Sequence, residues 1–319
     1  MKSTRLENPD RLTTNGTPHP VSRRRFLGTT ASAAVLAGFL PEIFAAEPVA
    51  KPLVGSNSYG WGQYYQRMGK PLNDHLDEVF SALKDTGYDY LEGSLDVSTP
   101  DNNQRLADRM RAKGLRAVCL YTGARLHETG KSSENVARLL VAAKAAAKAG
   151  FTLIDSNPDP IGRRKTDEEL KTQAAALNDF GKGLKDLGMK FGVHNHTPEM
   201  AEEAREFHHV FRHTDPAYVG FNYDVHWVFR GGIKPPEVLK SYGDRIVSWH
   251  LRQSRGGVWY EILDIGDIDF APLAEFASKR NLTAPLTVEL AIENGTKITR
   301  DVVENHRLSR EWVRKVFGA

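Results

Sequence analysis

Eight short apolar runs, separated by segments with helical periodicity, constrain the fold of this 319-residue chain more than any other feature. Runs of this kind are typical of buried strands, and helices between them indicate parallel pairing. The predicted strands are residues 53–58, 88–93, 115–121, 152–157, 190–195, 218–224, 245–251 and 285–290. The predicted helices are residues 72–86, 104–113, 133–149, 167–187, 201–213, 236–242, 271–280 and 299–317.

The number and spacing of these units favour a closed barrel. Eight strand–helix units in about 270 residues match the size of a (β/α)8 TIM barrel. Glycine follows several of the predicted helices, as helix C-termini favour; these are Gly87, Gly114, Gly150 and Gly188. A doubly wound open sheet is the alternative, but no Gly-rich phosphate loop follows the first strand. The sequence therefore predicts an α/β fold with a single TIM-barrel domain over residues 47–319.

The first 46 residues have the pattern of a removable export signal. A basic segment, residues 22–27, precedes an apolar stretch that ends before Ala45 and Ala46. The pair Arg23-Arg24, followed by Phe-Leu, resembles a twin-arginine signal. The apolar stretch of about 15 residues is shorter than the ~20 needed to span a bilayer. We therefore expect a twin-arginine signal peptide, a periplasmic mature protein and no membrane association after cleavage.

The charge balance disfavours a nucleic-acid partner. The whole chain has 43 basic and 40 acidic residues, of which residues 1–46 hold six and three. The remainder is therefore electrically neutral, whereas a nucleic-acid binder keeps a basic surface. Cys119 is the single cysteine, so no intrachain disulfide can form, and it is interpreted as a core residue. We expect a small neutral molecule as the partner, and the sequence is compatible with a homo-oligomer.

Metal-ligand side chains end four consecutive predicted strands, the fifth to the eighth. They are His194 with His196, Asp224, His250 and Glu289. In a TIM barrel these strand ends meet at one mouth. A carboxylate that ends an apolar strand is costly unless it is paired or metal-bound. Imidazoles and carboxylates suit a divalent ion with open positions for substrate, so we predict one such ion, either Mn, Mg, Co or Zn.

Three sequence blocks at these strand ends carry a more specific resemblance. They cover residues 191–199 (Phe-Gly-Val-His-Asn-His-Thr-Pro-Glu), 221–232 (Phe-Asn-Tyr-Asp-Val-His-Trp-Val-Phe-Arg-Gly-Gly) and 249–252 (Trp-His-Leu-Arg). In this order they resemble the xylose isomerase-like TIM-barrel family, in a twin-arginine-exported branch of sugar phosphate isomerases/epimerases. The resemblance extends over nearly all of residues 50–319. It implies a metal such as Mn²⁺ bound, by motif position, to His194, Asp224, His250 and Glu289.

Two positions depart from the family pattern. His194 stands where the family's epimerases have a glutamate that also serves as an acid–base group. Trp227 stands where the family has a substrate-binding histidine. A symmetric mechanism with two glutamates is therefore not expected. Glu289 remains a candidate base, and the candidates for its catalytic partner are His196, Glu199 and Glu92.

Further side chains near the strand ends are candidates for binding a sugar. The aromatic candidates for stacking on the ring are Tyr59, Trp61, Trp227 and Trp259. The polar candidates for contacting hydroxyl groups are Asn157, His226, Arg252 and Gln253. The alternative for each aromatic residue is packing at the rim of the barrel.

These residues together predict metal-assisted removal of a proton next to a carbonyl of a sugar. Return of the proton elsewhere gives isomerisation or epimerisation, which the family resemblance favours. Loss of a β-substituent from the same intermediate gives the alternative, a lyase or hydratase acting on a 3-keto-glycoside. Export argues for an unphosphorylated substrate. A DNA-repair nuclease of related fold is disfavoured by the neutral mature chain, and a non-catalytic sugar-binding barrel would bind metal without turnover.

Overall fold

The computed structural model describes residues 50–319, and the predicted signal peptide, residues 1–46, lies outside them. The strands in the described residues are β1 (Val54–Asn57), β2 (Tyr90–Ser94), β3 (Cys119–Ala124), β4 (Leu153–Pro158), β5 (Lys190–Val193), β6 (Gly220–Asp224), β7 (Ile246–Leu251), β8 (Ser254–Arg255), β9 (Val258–Trp259) and β10 (Leu286–Val288). All pair in parallel except β8 and β9, which form a separate hairpin. The other eight close a barrel in the order β1-β10-β7-β6-β5-β4-β3-β2. The predicted TIM barrel is confirmed.

Helices surround this barrel and follow its strands. They are α1 (Ser58–Arg67), α2 (Leu76–Asp85), α3 (Asn102–Ala112), α4 (Ser132–Lys148), α5 (Asp167–Asp186), α6 (Thr197–His213), α7 (Val225–Arg230), α8 (Pro235–Tyr242), α9 (Ala271–Lys279) and α10 (Val302–Phe317). Short 3₁₀ turns lie at Leu72–His75 and Gly243–Arg245. Helix α6 is broken by non-helical backbone at residues 201–204. Within residues 50–319, no helix is both long and apolar enough to cross a membrane.

The third strand lies later in the sequence than predicted. The apolar run at residues 115–121 suggested its position, but β3 begins only at Cys119. Leu115 instead donates its N–H to the carbonyl of Met110 and closes the end of α3. Pairing with β4 then continues as far as Ala124. Hydrophobicity thus located the buried segment, whereas helix capping and strand pairing set its ends.

Two helices that the sequence did not predict lie over the mouth of the barrel. Asn57 caps α1 by accepting a hydrogen bond from the Tyr59 N–H (2.6 Å), and Asp224 caps α7 through the Trp227 N–H (2.8 Å). Helix α1 contains two glycines and α7 has only six residues, so neither has a clear helical period. These caps place the aromatic rings of Tyr59 and Trp227 beside the strand ends.

The hairpin of β8 and β9 is a second unpredicted element. Gly256 and Gly257 form its two-residue turn with φ of +58° and +79°, values that favour glycine. In the sequence, this Gly-Gly pair is the feature that could have predicted the hairpin. The hairpin matters because its last residue, Trp259, reaches the mouth of the barrel.

Candidate active site

A cavity of about 970 Å³ opens where the barrel strands end. Its volume lies in the range of small-molecule sites. Eight of the predicted site residues line it, namely Tyr59, His194, His196, Trp227, His250, Arg252, Trp259 and Glu289. The cavity therefore combines most of the predicted polar groups with aromatic walls.

Three of the predicted metal ligands, His194, Asp224 and His250, form a compact trio. One ligand atom from each lies within 4.8 Å of the other two, and all three side chains are buried. His194 Nε2 lies 3.8 Å from Asp224 Oδ2. His194 Nδ1 is engaged with Asn222 Oδ1 at 2.8 Å, so its Nε2 is the nitrogen left to face the trio.

Asp224 supplies the strongest sign that this trio fits a cation. Its Oδ1 accepts the Trp227 N–H, while its buried Oδ2 has no hydrogen-bond partner among the residues that the structure describes. Burial raises the pKa of Asp224 to about 6, although Arg252 opposes the shift. This oxygen lies 3.6 Å from Arg252 Nη2 and makes no hydrogen bond among the described residues, and together with the neighbouring imidazole nitrogens it forms a donor set suited to a divalent first-row ion.

Glu289, the fourth predicted ligand, lies beside the trio and is paired within the protein. Its Oε2 is 3.0 Å from His250 Nδ1, and its Oε1 is 2.7 Å from Arg252 Nη2. Burial opposes ionisation of Glu289, but Arg252 and His250 outweigh it and hold its pKa below the usual range. Glu289 therefore remains an ionised carboxylate at the cavity wall, and its coordination to metal stays a prediction.

His250 is held by carboxylates on both ring nitrogens. Besides Glu289 at Nδ1, Glu92 lies 3.0 Å from Nε2. Burial disfavours the charged imidazole, but the two carboxylates outweigh it and raise the pKa of His250 well above its ordinary value. A metal ion at His250 must displace a proton from this ring, so metal binding here competes with protonation.

His196 is the acid–base candidate that faces the cavity. Its ring centroid lies 4.6 Å from that of His194 and 5.5 Å from that of Trp227. Burial lowers the pKa of His196 to about 4, with Glu289 acting in the opposite direction. The imidazole is therefore neutral near pH 7 and has a lone pair available to accept a proton.

The other two acid–base candidates do not line the cavity. Glu199 accepts a hydrogen bond from the backbone N–H of His196 at 2.6 Å, and burial raises its pKa to about 7. Glu92 is fully buried below the cavity, where it accepts a hydrogen bond from Asn57 Nδ2 (2.5 Å) and contacts His250. Their positions are those of residues that hold His196 and His250 in place.

Arg252 lies between two of the predicted aromatic residues. Its guanidinium carbon is 4.1 Å from the ring centroid of Trp259 and 5.6 Å from that of Trp227, and only 1% of the residue is exposed. Tyr59 lies at the rim and is 56% exposed. One wall of the cavity is thus an arginine packed against tryptophan rings, with Glu289 fixing its orientation.

Four predicted substrate contacts lie away from the cavity lining. The Trp61 indole donates to Ser56 Oγ (3.0 Å), and the Gln253 side chain binds backbone groups of its own loop. Asn157 accepts the Tyr121 hydroxyl (2.8 Å), and His226 is buried. Because their polar groups are used or enclosed inside the protein, this geometry does not support direct contact of these four residues with substrate.

Two residues at the site were not predicted from the sequence. The ring of Tyr121 lies 5.5 Å from that of His194 and 6.1 Å from that of His250, and it lines the cavity. Asn222 orients His194 from inside the barrel. Both positions carried a signal, since Tyr121 ends the third predicted strand and Asn222 precedes Asp224 by two residues on one face of the sixth.

Comparison with known proteins agrees with this architecture. The profile of the xylose isomerase-like TIM barrel family matches residues 80–316. An inosose dehydratase from Geobacillus kaustophilus (strain HTA426) is 33% identical over 216 residues, which cover 62% of this chain and 69% of that protein. An inosose dehydratase from Clostridium tetani (strain Massachusetts / E88) is 30% identical over 164 residues, 45% of this chain and 55% of that protein. The chain thus spans little more than half of the second relative.

A solved structure shares the fold at lower sequence identity. The crystal structure of a sugar phosphate isomerase/epimerase from Parabacteroides distasonis ATCC 8503 is 22% identical, with a TM-score of 0.65. The alignment covers 84% of this chain and 96% of that one. The closed barrel of eight parallel strands and the match over residues 80–316 lead to one conclusion: the chain belongs to the xylose isomerase-like TIM barrel family.

Proposed function

We propose that the protein is a metal-dependent enzyme that removes a proton next to the carbonyl of an unphosphorylated keto-sugar or keto-glycoside and then eliminates a β-substituent. The observation that carries this proposal is that the cavity holds two unlike acid–base groups, a carboxylate that is paired within the protein and a neutral imidazole. Among its lining residues within 50–319, Glu289 is the only carboxylate, and it is paired with Arg252 (2.7 Å) and lies 3.0 Å from His250 Nδ1. His196 is left as the neutral acceptor for a substrate proton.

The trio of His194, Asp224 and His250 would hold the metal, which supplies positive charge to stabilise the negative charge that develops on the carbonyl oxygen. The His196 imidazole takes the α-proton, so the C–H bond breaks and its electrons shift toward the carbonyl oxygen as an enolate. When the carbonyl re-forms, a C=C bond forms between the α- and β-carbons while the C–O bond of the β-substituent breaks and its electrons leave with the oxygen. The proton on His196 passes to the departing oxygen, which leaves as water or as the alcohol of an aglycone.

Elimination is favoured over epimerisation because it can be completed by one acid–base group. Epimerisation at a carbon needs a proton removed on one face and another delivered on the opposite face. By the resemblance to the family's epimerases, His194 stands in place of an acid–base glutamate. Glu289 is the only carboxylate within residues 50–319 that lines the cavity. The two dehydratase relatives support the same outcome. Isomerase or epimerase activity is the second candidate, supported by the family resemblance.

The product distinguishes these candidates. Residues 47–319, loaded with Mn²⁺, should be incubated with a 3-keto-glucoside bearing a chromogenic aglycone, and the products followed by absorbance and mass spectrometry. We expect release of the aglycone together with an α,β-unsaturated ketone. An isomer of unchanged mass would favour the second candidate. Metal binding with no turnover of any keto-sugar would contradict both.

We also propose that residues 1–46 direct export of the protein by the twin-arginine route. The proposal rests on the Arg23-Arg24 pair and the short apolar stretch that follows it. Replacing both arginines with lysine should retain the precursor inside the cell, while Arg25→Lys should leave export unchanged. Immunoblots of periplasmic and cytoplasmic fractions measure this. Normal export of the double variant would contradict the assignment.

A further inference from the structure

We infer that Asp155, a carboxylate buried at the centre of the barrel, sets the tautomer of His194 and thereby controls the metal affinity of the site. The side chain is 0% exposed and does not line the cavity. It is therefore a positioning residue that acts through other groups. The inference rests on the metal site in the proposed function.

Asp155 and His194 are joined by the side chain of Asn222. Asn222 Nδ2 donates to Asp155 Oδ2 at 2.6 Å, and Asn222 Oδ1 lies 2.8 Å from His194 Nδ1. Asp155 Oδ2 also accepts a hydrogen bond from Cys119 Sγ (3.3 Å), so this oxygen is an acceptor and the amide nitrogen of Asn222 faces it. Its amide oxygen must then face His194.

This orientation of the Asn222 amide determines which ring nitrogen of His194 carries the hydrogen. Since an amide oxygen can only accept, His194 Nδ1 must carry the hydrogen and donate it. His194 Nε2 is left with its lone pair, and this is the nitrogen that lies 3.8 Å from Asp224 Oδ2. A neutral imidazole binds metal through its unprotonated nitrogen, so the carboxylate selects the ligating tautomer from a distance.

Ser248 prevents the amide of Asn222 from turning over. Its Oγ accepts the other N–H of Asn222 at 2.8 Å and donates to Asp155 Oδ1, also at 2.8 Å. Both hydrogens of the amide nitrogen are therefore used. A reversed amide would present its oxygen to Asp155 and lose both bonds.

The adjacent strand is built to accommodate this carboxylate. A Cβ atom at Gly192 of β5 would lie 2.0 Å from Asp155 Oδ1 and 3.1 Å from Asn222 Cβ. Only glycine leaves room at this position for the hydrogen-bonded relay, the chain Asp155–Asn222–His194. Burying a carboxylate is costly unless it is well hydrogen-bonded, so a barrel centre that needed only packing would be better served by an apolar residue. The placement points to a role in orienting His194.

Metal affinity tests this role independently of turnover. In calorimetric titrations of residues 47–319 with Mn²⁺, Asp155→Leu should weaken binding by about 10–100-fold, as loss of a group that orients a ligand does. Asn222→Leu should have the same effect. Asp155→Asn keeps an oxygen that can accept from Asn222 and should recover most of the affinity.

Ser56→Ala is the matched control, because Ser56 is equally buried in the barrel and bonds His306 (2.8 Å) and Trp61 (3.0 Å). Its Mn²⁺ affinity should equal that of the wild type. A folded Asp155→Leu protein with wild-type affinity would overturn the inference. If the wild-type protein bound no Mn²⁺, Mg²⁺, Co²⁺ or Zn²⁺, the proposed metal site itself would be wrong.

The tautomer can be read directly in the metal-free protein. With ¹⁵N-labelled histidine, and His194 assigned by its absence in His194→Gln, we expect hydrogen on Nδ1 in the wild type. Asp155→Leu should show a mixture of both tautomers. Hydrogen on Nε2 of His194 in the wild type would overturn the relay, and this result requires no variant of Asp155 to fold.

Discussion

Replacing His196 with alanine is expected to lower kcat by about 10²–10⁴-fold, the usual contribution of a positioned general base, while leaving metal affinity unchanged. The reason is its position. Its imidazole lines the cavity beside the trio but is not one of the three clustered ligands. Burial lowers its pKa to about 4, so the imidazole is neutral near pH 7 and has a lone pair that can accept a proton.

Steady-state kinetics and Mn²⁺ titration of the same preparation measure the two quantities. His208→Ala is a suitable control, since His208 lies on α6 and is bonded to the Tyr242 hydroxyl (2.8 Å) outside the cavity. It should change neither kcat nor metal affinity. Near-normal turnover by His196→Ala would remove His196 from the mechanism.

Replacing Asp224 with asparagine is expected to abolish stoichiometric metal binding and, with it, activity. The substitution preserves the oxygen that caps α7 but removes the negative charge at Oδ2, which makes no hydrogen bond within the described residues. An amide there could also direct its N–H groups at the cation. Metal analysis after dialysis should find one ion per wild-type chain and almost none in the variant.

Glu261→Gln is the control for loss of a buried carboxylate. Glu261 is 1% exposed but is paired with Arg300 (2.5 Å) and Thr299, away from the trio. Its substitution should reduce stability while leaving the metal content intact. Unchanged metal content in Asp224→Asn would show that the trio is not the metal site.

The barrel was predictable because its signal is repeated eight times. Each predicted strand overlaps an observed one, and strand ends of a parallel barrel necessarily meet, so His194, Asp224 and His250 could be brought together from sequence. What could not be predicted was the direction in which a side chain near a strand end points. Trp61 looked like a sugar-stacking residue, but it packs on His306 from α10 with a centroid distance of 4.2 Å.

The hydrogen bonds inside the barrel could not be predicted from the sequence for a related reason. Asp155 and Asn222 lie within short, mostly apolar strands, where their sequence context does not reveal which groups they meet. Their contacts join strands β4 and β6, and Ser248 adds a third strand, β7. Such a network depends on the closure of the barrel, so it appears only in three dimensions. Helices α1 and α7 were missed because glycine content and short length conceal their periodicity.

Removal of a substrate proton next to a carbonyl can be measured with a substrate deuterated at that carbon. We expect a primary isotope effect on turnover and a product that has lost its deuterium to the solvent. With deuterium placed at a carbon remote from the carbonyl, we expect neither effect. Product formed at the normal rate with the α-deuterium retained would show that the protein does not act by breaking this C–H bond.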